Sequence, residues 1–385
     1  PIKAVAKVLT NRLKPLIPLL VHANQTGFIS GRSIAENFIY AADLVRACHS
    51  RKAPTMVIKL DFSKAFDSLS WDSFISTLHC RGFPQKFTAW IPDLLSTGKT
   101  AVMLNGIPGN WINCKNGLRQ GDPISPYLFI IVADLLQQMI QQDCNLSHLS
   151  HPLFSHLPPT VLQYADDTLI IAKASNDGAQ QLKNILQDFG RATGLSINFT
   201  KTTLVPMHVA PILSASIAST MQCTTSSFPQ IYLGLPLAPT RLPSNAFLLI
   251  IERCRKFLTG WRAKLLSKGD RLILLSAVLD SILVYFMSVF LIPKSVLKTL
   301  DSIRRAFFWA AEETCTGAQC LVAWKNVCKP KMCGGLGLKN LHKQNKCLLM
   351  KFAVKALNPE QSPWLDWITL QHPNALLTPQ NIHSF

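Results

Sequence analysis

Two adjacent carboxylates, Asp166 and Asp167, stand between apolar runs in Val161-Leu162-Gln163-Tyr164-Ala165-Asp166-Asp167-Thr168-Leu169-Ile170-Ile171-Ala172. β-Rich runs on both sides of a short polar tip are the pattern of a hairpin. Adjacent carboxylates at such a tip repel each other, and a bound proton or cation relieves the repulsion. Hard oxygen ligands of this kind suit divalent ions held against a phosphate. The plain alternative is a solvated, Asp-rich turn, and the tetrapeptide alone leaves both readings open.

A third acid, Asp61, ends Met56-Val57-Ile58-Lys59-Leu60-Asp61, which reads as a short buried strand. The chain runs straight into Phe62-Ser63-Lys64-Ala65-Phe66-Asp67, where Phe66, Leu69, Phe74 and Leu78 begin a helical spacing. Asp67 and Asp72 on that helix suit solvent or capping roles. Between the acid segments lies Gly117-Leu118-Arg119-Gln120-Gly121-Asp122-Pro123-Ile124-Ser125-Pro126-Tyr127-Leu128-Phe129. Its Gly and Pro give a tight loop, and Ser125-Pro126 is a good helix start. An acid-ended strand, a Gln-Gly loop with its helix and an Asp-Asp hairpin, in that order, are hard to obtain by chance.

Together these segments resemble the palm of a reverse transcriptase, of the LINE-type (non-LTR) retrotransposon group common in plant genomes. Asp61 to Asp67 match the family's first metal-binding motif, and Leu118 to Pro123 with Ser125 to Phe129 match its template- and nucleotide-positioning motif. Gly194-Leu195-Ser196-Ile197-Asn198-Phe199 with Lys201 resembles the next motif, and Tyr232-Leu233-Gly234-Leu235-Pro236 the primer grip. Upstream, Asn24-Gln25-Thr26-Gly27-Phe28 with Gly31-Arg32 resembles the fingers motif; downstream, Trp324, Cys328, Pro330-Lys331 and Gly334 to Gly337 match the segment after the palm. The resemblance covers nearly the whole chain, in the family's order.

The resemblance implies an α+β, right-hand polymerase: a fingers remnant, an antiparallel-sheet palm and a helical thumb-like region. It implies RNA-directed DNA synthesis, transferring a nucleotide from dNTP to a primer 3′-hydroxyl, with target-primed copying of a retroelement RNA. The implied partners are an RNA template, a DNA primer or target DNA and dNTPs, with no membrane. Two Mg²⁺ ions are implied, Mn²⁺ being a substitute. Asp61 and Asp166 would ligate them and Asp167 assist; the Phe62 carbonyl is a further ligand. Since neighbouring strand residues point to opposite faces, Asp166 and Asp167 are expected to contribute unequally. Phe66 would lie beneath the sugar and reject a ribose 2′-hydroxyl, the alternative being a core aromatic. Gln120 and Gly121 would line the nucleotide site, with glycine allowing close backbone approach. Lys201 would act on pyrophosphate, or is a solvated surface Lys. Gln25, Phe28 and Arg32 are expected at template or primer, and Tyr232, Leu233 and Gly234 at the primer end.

Family members begin with a further fingers segment containing Phe-Arg-Pro-Ile, whereas this chain opens at Pro1 without an initiating Met. Neither an endonuclease nor an RNase H is present, so an internal fragment of a longer polyprotein, or a decayed element, is expected. The rival functions are a catalytically inactive nucleic-acid-binding remnant and a different two-metal enzyme such as a nuclease. A nuclease leaves the Gln120-Gly121 loop and Phe66 unexplained.

Composition agrees. At 385 residues and 48% hydrophobic, the chain can bury a large core in two or three domains. Its net charge of +18 suggests a polyanionic partner. The 11 Cys show no even secretory framework and no signal peptide opens the chain, so an intracellular setting, nucleus and cytoplasm, is expected. Cys315, Cys320, Cys328, Cys333, His342 and Cys347 invite a zinc reading; scattered buried thiols are preferred and zinc is not expected. Leu272 to Pro293 is long enough to span a bilayer, but Asp280 near its middle argues for a buried thumb-like helix. The expected domains are 1–56 (fingers remnant), 57–238 (palm, with about 83–116 returning to the fingers), 239–300 (thumb-like) and 301–385 (a C-terminal region). Ser214 to Pro229, rich in Ser and Thr, reads as a loop or weak strand, and from Ser244 the pattern is helical through Trp261 and Arg271 to Pro293.

Overall fold

β-Branched and aliphatic residues from well-separated stretches pair into the sheet that organises residues 1–233, the first of two units into which the chain divides. The computed structural model describes residues 2–143, 149–258, 262–357 and 362–371. Ahead of the sheet come helices α1 (Ile2–Leu13), α2 (Ile17–Leu20) and α3 (Ile34–Ser50). Strand β1 (Thr55–Leu60) buries Met56, Val57, Ile58 and Leu60 together, which is why it reads as a continuous apolar run and not as an alternating one. The helical spacing after Asp61 resolves into two pieces, α4 (Ala65–Ser68) and α5 (Trp71–Cys80). Ser70 makes the break: its backbone is extended and its hydroxyl accepts from the Ser73 N–H, an N-cap that starts a new helix.

Helix α6 (Gln85–Ser96) leads into a ribbon of β2 (Lys99–Thr100), β3 (Met103–Leu104), β4 (Ile107–Pro108) and β5 (Ile112–Asn113). The outer two strands pair, and so do the inner two. Asn105 and Gly106, both at positive φ, make its two-residue turn. Helix α7 (Ser125–Asp143) begins at Ser125-Pro126, where the sequence predicts a start. Then come the hairpin strands β6 (Thr160–Tyr164) and β7 (Asp167–Lys173), α8 (Asn176–Thr193), β8 (Thr203–Met207), α9 (Pro211–Met221) and β9 (Thr224–Thr225).

The five-stranded sheet has the order β6-β7-β1-β8-β9, antiparallel except between β8 and β9. Ile58, Phe74, Phe129, Val132, Ile170, Leu182 and Phe189 join it to α5, α7 and α8 in one core. Part of the Ser214–Pro229 stretch is helical, against expectation, because α9 runs to Met221. Ser and Thr are weak helix formers, but Pro211 opens the first turn and Ile217 and Met221 are buried, so packing overrides propensity. Strand β10 (Gln230–Tyr232) and strand β11 (Leu235–Leu237) flank Leu233 and Gly234, both in the left-handed region at φ 49° and 77°.

The second unit, from Gly234, is mostly helical: α10 (Leu248–Leu258), α11 (Arg262–Leu265), α12 (Lys268–Leu274), α13 (Asp280–Met287), α14 (Lys294–Ala310), α15 (Trp324–Val327), α16 (Leu341–Leu357) and α17 (Pro363–Gln371). The apolar run from Leu272 is not one regular helix. A π-helical turn at Leu275–Leu279 joins α12 to α13, which ends at Met287. Buried Asp280 accepts from Arg304 Nη2 at 3.1 Å, and Arg304 also donates to Asp301 Oδ1 and the Lys339 carbonyl. The acid that a lipid span would leave unpaired is thus matched by a buried cation. Among the described residues no helix is long and apolar enough to cross a membrane. Trp261 and residues 372–385 lie outside the described residues.

Candidate active site

In the β6–β7 hairpin Tyr164 pairs with Asp167, leaving Ala165 and Asp166 as the turn. Ala165 has φ 55°, a left-handed conformation that costs a residue bearing a Cβ about 1 kcal/mol. Gln25 holds it there. Its Oε1 accepts from the N–H groups of Ala165 and Gly27, each at 2.9 Å, and its Nε2 donates to the Ala165 carbonyl at 3.4 Å. The Gln25 segment also lies along β6, with Thr26 N–H on the Gln163 carbonyl and Gln163 N–H on the Asn24 carbonyl. A Cβ on Gly27 would sit 2.5 Å from Ala165 N, so no larger residue fits that approach.

Asp166 is exposed at the turn, whereas Asp167, the first strand residue, is half-buried. Asp61 lies one residue past Leu60, which is opposite Thr168; it therefore stands beside the hairpin tip. Its carbonyl accepts from Asn198 N–H at 2.7 Å, and Ser63 N–H donates to the Ser196 carbonyl. The Gly194–Lys201 segment thus fixes the end of the Asp61 strand. Burial pushes the Asp167 carboxyl above the usual carboxylate range; Lys59 opposes this, while Asp166 and Asp61 add to it. The three acids therefore share one electrostatic field. Among the described residues no group of three or more His, Cys, Asp or Glu side chains is arranged to hold a metal ion. The donors are hard oxygens in mutual repulsion, and a divalent cation such as Mg²⁺ fits them chemically.

Phe66 stacks on Phe129 with ring centroids 4.6 Å apart, yet stays half-buried. One face of the ring thus belongs to the core and the remainder stays open. Its carbonyl accepts from Leu118 N–H at 2.6 Å; Gly117 N–H donates to the Leu69 carbonyl, and Trp71 Nε1 to the Gly117 carbonyl. These bonds anchor the base of the Gln120–Gly121 loop, both of whose named residues are exposed. Gly121 has φ 77°, and a Cβ there would meet nothing within 4 Å. Glycine at 121 suits this left-handed turn, and the space beside its backbone is open. Lys201 is exposed.

The residues expected at template and primer divide. Phe28, 45% exposed, lines an open cleft with Lys14, Ser30, Tyr127 and Tyr164. Gln25 is fully buried, bonded to the turn as described. Arg32 donates to the backbone carbonyls of Pro18, Val21, His22 and Gln25 at 2.6–3.1 Å, so it clamps its own loop. Tyr232 is buried against Phe38, its hydroxyl donating to Asn37 Oδ1 at 2.7 Å, and Leu233 is also buried. Asn37 is a residue that sequence reasoning missed. Its Nδ2 also donates to the Gln163 carbonyl at 3.0 Å, and its polar place on the buried face of α3 was the available signal. In the second unit the Cys315 and Cys320 sulfurs are 3.7 Å apart, whereas Cys333 and Cys347 are exposed and not the buried thiols expected.

A family model described as reverse transcriptase (RNA-dependent DNA polymerase) matches residues 1–236. An Arabidopsis thaliana protein named for ribonuclease H is 38% identical over 130 residues, 34% of this chain and 21% of the relative. A Pol polyprotein from a type-2 retrotransposable element of Drosophila melanogaster is 26% identical over 243 residues, 62% of this chain and 22% of the relative. The chain thus spans about a fifth of the length of these curated relatives. A solved telomerase from Candida albicans, in complex with a fragment of telomeric RNA, aligns over 96% of this chain and 56% of its own, with TM-score 0.40 and 13% identity.

Proposed function

The chain belongs to the reverse transcriptase (RNA-dependent DNA polymerase) family, of the non-LTR, LINE-type retrotransposon kind, and from that premise we propose that it extends a primer 3′-hydroxyl with dNTPs on an RNA template. Its architecture is the right-hand polymerase fold. The observation that carries the reading is the clamped Ala165-Asp166 turn beside the Asp61 strand end, three carboxylates sharing one field.

Asp61, Asp166 and Asp167, with the Phe62 carbonyl, would hold the divalent ions. When bound, such a pair stabilises both the attacking and the leaving oxygen of the transfer. The rest falls to the chain itself. Gln25 keeps the acid turn in its left-handed form, and the Gly194–Lys201 segment fixes the Asp61 strand. Phe66, buttressed by Phe129, presents its open part to the sugar, so that a ribose 2′-hydroxyl meets a ring. Gln120 and Gly121 face the incoming nucleotide and Lys201 steadies pyrophosphate. Phe28 faces the template through its cleft; Arg32 and Tyr232 act indirectly, by fixing the loops that carry Phe28 and the Leu233–Gly234 primer-end turn. Residues 1–56 serve as fingers, 57–238 as palm with 83–116 returning to the fingers, 239–300 as thumb and 301–385 as a C-terminal region.

The test is incubation with an RNA template, a DNA primer, dNTPs and Mg²⁺. Extension is expected, together with binding that weakens steeply as salt rises, because +18 charges release counterions from the phosphates. Binding without extension would make the chain an inactive nucleic-acid-binding remnant; degradation of primer or template would make it a nuclease.

A further inference from the structure

Lys59 lies two residues before Asp61, so both side chains leave the same face of the sheet. Its ammonium donates to the carbonyl of Ile231 at 2.9 Å. In the β1–β7 register Lys59 stands opposite Leu169 and therefore diagonal to Asp167, a spacing that a long side chain can reach across. Of the influences on the Asp167 carboxyl, the Lys59 charge is the largest one opposing burial. Ile231 in turn precedes Tyr232, whose hydroxyl is fixed to Asn37. One half-buried cation thus spans the acid cluster and the segment leading to the primer-end turn, and the chemistry described so far does not use it.

We infer that Lys59 is a positioning residue, tying the Ile231–Tyr232 segment to the carboxylate cluster so that primer end and metal ligands keep one register. The inference rests on the reverse transcriptase reading of the three acids. Lys59 supplies two separable things, a hydrogen bond that fixes backbone and a positive charge beside Asp167. Lys59→Met keeps much of the apolar stem and loses both. Lys59→Arg keeps a charge and donors able to reach a carbonyl.

The experiment compares the full chain with Lys59→Met, Lys59→Arg and Asp166→Asn. Mn²⁺ affinity is measured by electron paramagnetic resonance without nucleotide, amide exchange is followed at 231–234, and primer extension is split into kcat and KM for dNTP. Lys59→Met is expected to bind Mn²⁺ about threefold tighter, since a cation has left the carboxylates' side. Exchange at 231–234 should quicken, and kcat should fall roughly tenfold from misplacement of the primer end while KM for dNTP holds. Lys59→Arg should restore most of kcat and slow the exchange again.

Unchanged Mn²⁺ affinity and exchange in Lys59→Met overturn the inference. So does a general loss of melting temperature that Lys59→Arg fails to rescue, since Lys59 would then serve folding alone. Failure of the underlying reading looks different: Asp166→Asn would bind Mn²⁺ as the parent does and, if the parent extends a primer, extend it equally well. Should the parent not extend at all, Mn²⁺ affinity and exchange still decide the role of Lys59.

Discussion

The β6–β7 turn and the Gly117–Pro123 loop both carry residues proposed to serve the reaction, and the chain holds their tips differently. The turn is gripped from outside: buried Gln25 satisfies two of its region's N–H groups and one carbonyl, and Asn37 bonds the strand behind it. The loop is tied at its base to Phe66, Leu69 and Trp71, and through Arg119 to Leu94, Thr97 and Ser125, while Gln120 and Gly121 at its tip reach into solvent. Groups that share metal ions must keep fixed mutual geometry and are built on rigid, bonded elements. Groups that greet a diffusing nucleotide belong on an adaptable loop above that scaffold.

The comparison is broken most severely at the turn. Asp166→Asn should lower primer extension by at least about a hundredfold, as loss of one charge-stabilising group does elsewhere. Its melting temperature should match the parent's, because the carboxylate is exposed; steady-state extension and a thermal melt check both. Gln25→Leu should come next. It strands the N–H groups of Ala165 and Gly27, for a destabilisation of about 2 kcal/mol, and loosens the turn enough to slow extension roughly tenfold. A Gln25→Leu protein that extends at the parental rate would mean that the grip is dispensable and the contrast between the two regions is false.

The loop should answer more weakly and in another parameter. Gln120→Ala is expected to raise KM for dNTP about threefold, with kcat held and stability altered by no more than about 0.5 kcal/mol. A fall in kcat as large as that of Gln25→Leu would show the loop to be as rigid a part of the chemistry as the turn.

The smallest effect on extension, and a purely thermodynamic one, lies behind the turn. His151 Nδ1 accepts from the N–H groups of Leu153 and Phe154, in a loop whose Ser150 carbonyl takes the Lys173 N–H at the end of β7. Burial, then His156, brings the His151 imidazole down from 6.5 to about 4. Between those values the unfolded chain takes up a proton that the folded chain refuses. Stability should therefore fall by about 2–3 kcal/mol as pH drops through that window, and be recovered above it. His151→Asn, which keeps an acceptor near the Nδ1 position, should flatten this part of the melting-temperature profile; an unchanged profile would show that His151 does not set it.

Local pattern made the scaffold legible. The acid-ended strand, the Ser125-Pro126 helix start and the hairpin around Asp166 follow from periodicity and turn chemistry, which neighbours in sequence decide. Side-chain direction was not legible in the same way. Gln25, Arg32 and Tyr232 stood in motifs associated with template and primer, yet their polar atoms are bonded inside the protein, to groups as far away as Ala165, four backbone carbonyls and Asn37. A polar residue paired across a fold looks, in sequence, the same as one facing solvent. The Ser/Thr-rich stretch misled for a related reason, since α9 owes its helix to Ile217 and Met221 meeting a buried surface. Ser70, by contrast, was a readable cap within the 66–78 spacing, where periodicity alone suggested one continuous helix.

The bond between Gln25 and Ala165 joins residues 140 positions apart, which gives the acid turn a place in time as well as in space. A ribosome adding about 5–20 residues per second takes roughly 7–28 s to cover that distance. Until then the Gln25 amide has no turn to grip, and α3 waits with Asn37 unpaired to β6. Contacts of such long sequence separation come late in folding, because the loop between them must close first. The hairpin can zip locally far sooner, so for a while the nascent chain holds its acids on a turn that nothing yet fixes. The acid turn is in this sense formed before it is fixed, and a chain released before Asp167 emerges carries the clamp without anything to clamp.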